Sequence, residues 1–404
     1  MRVTTLPLAV SAYTATSALG LGLDAHLEAL RQQHSGLRTN DFSSAPLPCW
    51  IGRVAGVEHV ALPSNYAEWD CRNNRLAWLG LKQDDFLTKA RAARERYGAA
   101  RLALLLGTST ASIGATEEGY RRLENERLPA DLHRTSIHTP HSLTAFVAAA
   151  LDIKGPCMTI STACSSSAKV FASAQRLIRL GLVDAAIVGG VDSLCDSTLF
   201  GFNALELVSP EPCRPFDAAR RGISIGEAAG FALLERIDAH TDAPLHLLGC
   251  GESSDAHHMS TPDPLGVGAE LALRDVFDRA GLDATQVDYI NLHGTASQKN
   301  DAMEAGLVAR MFPLHTRVSS TKGLTGHTLG AAGIVEAVIT LLALRDGFVP
   351  GNAGVSEPDP ACSEHFAWHN ETRPLQVALS HSFGFGGSNA CLAFACADRD
   401  ACTR

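Results

Sequence analysis

The residues that could do chemistry fall in four short segments. The first is Thr159-Ile-Ser-Thr-Ala-Cys164-Ser-Ser-Ser-Ala-Lys169, where a strand-like run gives way to a helix. A helix starting there aims its unpaired N–H groups and positive dipole end at the Cys164 sulfur. That favours a negative charge by about 0.3–2 kcal/mol and lowers the thiol pKa. The same backbone offers an N–H to a developing oxyanion. Taken alone, the stretch suits one more buried thiol among eleven cysteines equally well. The second segment is Tyr289-Ile-Asn-Leu-His293-Gly-Thr295-Ala-Ser297, a strand running straight into a histidine. A side chain at a strand's carboxyl end is placed to face a crevice, although a lone histidine also serves as a cap or a core residue. The third, Ser319-Ser-Thr-Lys322-Gly-Leu-Thr-Gly-His327-Thr-Leu-Gly330, delivers Lys322 from a strand and sets His327 at the mouth of a helix. Gly-rich loops before helices can cradle phosphate, but no GxxxxGK[ST] pattern is present, which disfavours a nucleotide. The fourth is His381-Ser-Phe383-Gly-Phe385-Gly-Gly387-Ser-Asn389. It lacks the GxGxxG spacing and a following helix. Its glycines let a tight turn press backbone N–H groups against a reacting atom.

One cysteine, two histidines, a lysine and a glycine-rich turn match no metal spacing. They match thiol nucleophilic catalysis supported by imidazoles. A metal-dependent hydrolase could recruit His257, His258, His293 and His327, but no HExxH or closely spaced acidic ligands accompany them.

Holding these segments requires alternating strands and helices. Apolar runs predict strands at 6–12, 101–106, 184–188, 230–235, 287–292, 318–320, 377–380 and 390–395. Helices are predicted at 23–33, 142–151, 165–180, 269–280, 302–312 and 331–345. The alternation argues for a layered α/β fold with sheets buried between helices. There is an internal echo: two small-residue loops, around Cys164 and around His327, each open a helix that ends in Arg-x-Gly, at Gly181 and Gly347. Glycine there suits a left-handed cap. The echo predicts two related halves, 1–240 carrying the cysteine and 241–404 carrying both histidines.

Composition narrows the rest. The 404 residues are 46% hydrophobic and 19% charged, which excludes a disordered chain or a coiled coil. Lys+Arg 34 against Asp+Glu 43 leaves a net charge of -9, so general nucleic-acid binding is disfavoured. Eleven cysteines without CxxC spacing read as reduced, buried thiols of a cytoplasmic chain. No stretch approaches the roughly 18 uncharged residues of a membrane span. The apolar N-terminal run is short and broken by Pro7, and reads as a first strand rather than a signal peptide.

The four segments resemble those of the β-ketoacyl-acyl-carrier-protein synthases of the thiolase superfamily, specifically the elongating, Cys-His-His type. Cys213-Arg-Pro-Phe-Asp217, Gly226-Glu-Ala-Ala-Gly230 and Gly326-His-Thr-Leu-Gly-Ala-Ala-Gly333 extend the resemblance over most of the chain. It implies a thiolase-like fold of two similar halves with a layered α-β-α-β-α core. It implies a decarboxylative Claisen condensation of an acyl chain on Cys164 with malonyl-carrier protein, in fatty-acid or polyketide/aryl-polyene elongation. By the same resemblance Cys164 and Phe383 supply the oxyanion-hole N–H groups, and His293 and His327 flank the malonyl thioester. Lys322 holds the histidine pair with Glu336 as its ion-pair partner, Asp301 and Glu304 are scaffolding, and Thr295 and Ser297 bind the pantetheine amides. No cofactor is implied beyond the phosphopantetheine of the acyl carrier protein. The family is dimeric, so a homodimer is the default; the alternative is a subunit active only with a paralogous partner. Arg72, Arg75, Arg214, Arg220 and Arg221 are candidate docking residues for an acidic carrier.

Three departures stand out. Ser297-Gln298 replaces the usual Thr-Pro, and His381 stands where asparagine is common. Thr110, in Gly107-Thr-Ser-Thr-Ala-Ser112, occupies an acyl-pocket position usually small or aliphatic. An unpaired hydroxyl there costs about 1–3 kcal/mol against a saturated chain, which points to a substrate that is not simply saturated, such as a conjugated or aryl-capped chain; ordinary fatty-acid elongation is the more economical reading.

Overall fold

The computed structural model of the chain describes residues 5–238 and 243–397. The predicted junction between 240 and 241 lies outside the described residues. Five strands of the first half are β1 (Leu8–Ser17), β2 (Leu102–Gly107), β3 (Cys157–Ile160), β4 (Ala185–Asp192) and β5 (Ala228–Arg236). Five of the second are β6 (Leu245–Ser254), β7 (Tyr289–Asn291), β8 (Arg317–Ser319), β9 (Val377–Gly384) and β10 (Ser388–Cys396). The first set is ordered β1-β5-β4-β2-β3 and the second β6-β10-β9-β7-β8, the same order in sequence terms. Directions match too. In each set the first two pairings are antiparallel and the last two parallel. β1 and β6 join the sets through an antiparallel contact at Leu8↔Leu247.

The parallel strands are covered on both faces, as such strands must be, and β2, Leu-Ala-Leu-Leu-Leu-Gly, is buried throughout. Helices α1 (Arg72–Leu81), α2 (Phe86–Tyr97) and α3 (Ser142–Leu151) pack on the outer face of the first half. Helix α4 (Ser166–Arg179) lies between the halves, touching β2 and β4 on one side and β6 and β10 on the other. Helices α5 (Val267–Ala280) and α6 (Gln298–Met311) belong to the second half, α5 covering β6 and β10. Helix α7 (Ala332–Asp346) packs beside α4 and touches strands of both halves. The result is a five-layer α-β-α-β-α stack.

The two central helices explain the wealth of small residues. Residues 332–344 of α7 are all buried, so the helix has no polar face. A Cβ at Gly333 would sit 2.5 Å from the Ala168 backbone nitrogen, so only glycine lets α7 approach α4 there. The hydroxyl of Ser167 on α4 accepts from the Ile334 N–H at 2.9 Å. Gly347 caps α7 in the left-handed region, and Gly181 follows α4 with φ +71°.

The sequence reading placed six helices within a few residues, but α1, α2 and β6 were not anticipated. Among the described residues nine cysteines carry free thiols; Cys396 is disulfide-bonded, against the expectation of a reduced chain. Among the described residues no helix is long and apolar enough to cross a membrane.

Candidate active site

Every reacting candidate lies at the carboxyl end of a parallel strand. Cys164 follows β3 and precedes α4. Ala163 is held at φ +52°, an uncommon conformation for a residue with a Cβ. The turn is fixed by its own hydroxyls: Ser166 Oγ accepts the Thr162 N–H at 2.9 Å, and Ser165 Oγ donates to the Thr162 carbonyl at 2.9 Å. His293 follows β7, and His327 follows β8 before α7. The Cys164 sulfur lies 3.0 Å from His327 Nε2. One ligand atom from each of Cys164, His293 and His327 falls within 4.8 Å of the others, close enough for all three to touch one substrate atom group. The imidazole rings of His293 and His327 stand at 86°, centroids 5.4 Å apart.

Their tautomers follow from what their other nitrogens accept. The Leu329 N–H points to His327 Nδ1 at 3.3 Å. The Lys322 ammonium lies 3.4 Å from His293 Nδ1. With Nδ1 accepting on both rings, the proton of each neutral imidazole sits on Nε2. Both rings are neutral, because burial, reinforced by the Lys322 charge, pushes them well below the ordinary histidine range. Two N–H donors therefore converge beside the cysteine.

Lys322 is 1% exposed and forms an ion pair with Glu336, as expected, while also donating to the His293 carbonyl at 2.5 Å. Burial pushes the Glu336 carboxyl up, and the lysine opposes it. Glu304 accepts the His293 and Gly294 N–H groups at 2.9 and 2.7 Å. Asp301 accepts the Thr295 and Phe216 N–H groups at 3.0 and 2.8 Å, and burial raises its carboxyl to about 6. A Cβ at Gly294, φ +27°, would strike Ser320 and the Phe216 ring, which explains the His-Gly pair. Thr295 and Ser297 join their hydroxyls at 2.9 Å and line the cavity.

The Phe385 backbone N–H faces the Cys164 sulfur, and Phe383, the residue the resemblance pointed to, lines the same cavity. Phe383 packs its ring 6.0 Å from the His293 ring. Three expectations need correction. The thiol is not acidic at rest: Cys164 is 4% exposed, and burial outweighs Lys322 and the Phe385 N–H, pushing it up to about 11. Thr110 carries no wasted hydroxyl, because it donates to Asp192 at 2.7 Å. It lines a separate cavity of about 190 Å³. Arg220 is no docking residue, being buried against Asp301 and Asp359. Of the other arginines, Arg72 is tied to Glu227 and Glu58, Arg75 to Asp70, and Arg214 to Glu211. Arg221 is the most exposed of the five and lines the main cavity.

Asp192, at the end of β4, escaped sequence reading. Its carboxylate accepts from Thr108 and Thr110 hydroxyls, the Ser109 hydroxyl and N–H, the Thr110 N–H, and the Gly330 N–H at 2.6 Å. It thereby ties the loop after β2 to the segment carrying His327. A Val-Asp at a strand end gave no signal of this.

The three reacting residues open onto one cavity of about 690 Å³, also lined by Phe202, Phe383, Phe385 and Asn389. His258 reaches this cavity too, whereas His257 sits on the exposed loop beside it. The arrangement can take an acyl group on sulfur and stabilise an enolate next to it. Residues 79–240 match the family described as beta-ketoacyl synthase, N-terminal domain, and residues 246–356 its C-terminal domain. Nodulation protein E of Rhizobium meliloti (strain 1021) is 36% identical over 310 residues, covering 73% of this chain and 76% of that protein. The 3-oxoacyl-[acyl-carrier-protein] synthase 2 of the same strain is 39% identical over 257 residues, covering 59% and 61%. A ketosynthase from Xenorhabdus doucetiae, solved with its chain length factor, superposes with a TM-score of 0.89 at 36% identity, over 97% of this chain and 98% of that one. The chain belongs to the β-ketoacyl synthase family, the condensing acyltransferases of thiolase-like fold that extend acyl chains in fatty-acid and polyketide synthesis.

Proposed function

We propose that Cys164 is the nucleophile and that His293 and His327 are the decarboxylation donors, with an acyl carrier protein delivering both substrates. The observation that carries this is the convergence of Cys164 Sγ, His293 and His327 within 4.8 Å on the cavity wall. In the first half-reaction Sγ attacks the thioester carbonyl of the acyl-carrier protein. The carbon–sulfur bond to pantetheine breaks, and the thiol proton leaves with the pantetheine sulfur. Burial pushes the Cys164 thiol up, so its proton must be handed on as the sulfur attacks.

In the second half-reaction the malonyl carbon–carboxylate bond breaks, CO2 leaves, and its electron pair forms an enolate. The Nε2–H groups of His293 and His327 donate to the enolate oxygen; donors fixed before the charge appears need no reorganisation. The enolate carbon then attacks the Cys164 thioester. The oxyanion faces the N–H groups of Cys164 and Phe383, and collapse expels the Cys164 thiolate, which takes up a proton from solvent. Thr295 and Ser297 offer hydroxyls to the pantetheine amides. The scheme uses no cofactor of the chain's own. Arg221, at the cavity mouth, is the docking residue we favour for an acidic carrier.

Among the described residues strand β3 is the outermost of its half, and its Met158 is 42% exposed. An unpaired edge of this kind invites a second chain, and we infer that a second ketosynthase-like chain binds there. A paralogue, rather than a second copy, is the reading supported by the 36% identical ketosynthase solved with a chain length factor. Intact-protein mass after mixing with acyl-carrier protein tests the scheme. A Cys164-dependent adduct, absent in Cys164→Ala and consumed with CO2 release on adding malonyl-carrier protein, is expected. An adduct that persists in Cys164→Ala refutes the nucleophile. An adduct formed only when a paralogue is supplied establishes the heterodimer.

A further inference from the structure

His381 is wholly buried, as is Glu304, and its Nδ1 lies 3.0 Å from Glu304 Oε1. Its Nε2 is buried without a hydrogen-bond partner among the described residues. Nδ1–H is therefore the donor, and the carboxylate the acceptor. Glu304 accepts from four groups: the His293 N–H, the Gly294 N–H, the Asn300 amide at 3.4 Å and His381. A carboxylate has about four acceptor positions, so all are filled. The turn that aims His293 is thus gripped from two sides. Lys322 and Ser320 hold its carbonyls, at 2.5 and 2.7 Å, and Glu304 holds its amides. Lose the His381 N–H, and the carboxylate can swing off the two amides.

We propose that His381 is a positioning residue for His293, acting through Glu304. The proposal rests on the reading of His293 as a decarboxylation donor. It predicts a split between the half-reactions, because Cys164 acylation does not use His293. His381→Leu, which fills the space without a donor, should slow malonyl-carrier decarboxylation by at least about tenfold, as expected of a displaced reacting group. Cys164 acylation should stay within about twofold, and His381→Asn, which restores an N–H donor, should recover most of the loss. Equal losses in both half-reactions, or no recovery with asparagine, would overturn the proposal. If His381→Leu does not fold, Glu304→Gln should show the same split, and equal losses there are equally decisive. His293→Ala run in parallel separates the two readings. If it decarboxylates normally, the role of His293 fails; if it does not and His381→Leu does, only the positioning role fails.

Discussion

Lys322→Met separates what Lys322 does for stability from what it does for chemistry. The ammonium has three partners: Glu336, the His293 carbonyl and His293 Nδ1. Removing it strands a buried carboxylate, which costs about 3–5 kcal/mol when one partner of a buried pair is lost. It also frees the His293 ring to carry its proton on Nδ1, so Nε2 ceases to be a reliable donor. One preorganised donor to a developing oxyanion is worth about 2.7–4 kcal/mol, or roughly 100- to 1000-fold. Lys322→Met should therefore lower malonyl-carrier decarboxylation by about 100-fold and lower the urea midpoint sharply. Adding Glu336→Gln removes the stranded charge. The double variant should regain most of the stability and none of the decarboxylation. CO2 release from malonyl-carrier protein and urea unfolding, measured on the same preparations, read the two effects apart. If decarboxylation returns together with stability, the tautomer argument is wrong and Lys322 is scaffolding alone.

Two further outcomes follow from side chains away from the reacting atoms. His26 is buried between Ser17 Oγ at 2.9 Å and the Gly22 carbonyl at 2.8 Å, and burial lowers its pKa from 6.5 to about 4. The folded state thus binds fewer protons than the unfolded state between those values. Stability is full above about pH 6.5 and falls by about 3 kcal/mol as the pH drops to 4. His26→Gln should flatten that part of the pH profile in chemical denaturation, and an unchanged slope refutes the assignment. Thr110→Val removes a hydrogen bond to buried Asp192 and should cost about 1–3 kcal/mol, leaving the ranking of acyl-carrier substrates unchanged in competition assays. A reversed preference between saturated and polyenoyl chains would restore the hydroxyl to the acyl pocket.

Much of the site was legible because its residues sit at strand ends followed by glycine or small residues, a local pattern. Cys164, His293, Lys322 and His327 all occupy the places the sequence suggested. What escaped was decided by contacts distant in sequence. Asp192 accepts from a loop some 80 residues earlier and from Gly330, 138 residues later. The thiol shift of Cys164 depends on how completely the second half covers it. The Phe385 N–H reaches the Cys164 sulfur because the turn after β9 bends back over the cysteine, with Gly386 at φ +78°. Strand β6 was not anticipated; its Gly249 and Gly251 interrupt the apolar run, and both are where α5 lies close on the sheet: a Cβ at Gly251 would sit 2.0 Å from the Ala272 carbonyl.

The duplication explains why such distant segments meet. Strands β2, β3 and β4 correspond by order and direction to β7, β8 and β9. Cys164 lies between β3 and α4, and Lys322 and His327 lie in the matching stretch between β8 and α7. The loop after β2, held by Asp192, corresponds to the loop after β7 that carries His293. Each half alone presents a crevice at its strand ends, but neither holds both a nucleophile and a pair of donors. Packing α4 against α7 turns the two crevices toward each other, so that the sulfur of one half comes 3.0 Å from an imidazole of the other. Condensation needs an acyl acceptor and an enolate stabiliser at one point. Specialising each half for one of these tasks, and fixing their separation with Gly333 on Ala168, accounts for both the small-residue helices and the placement of the chemistry at the seam.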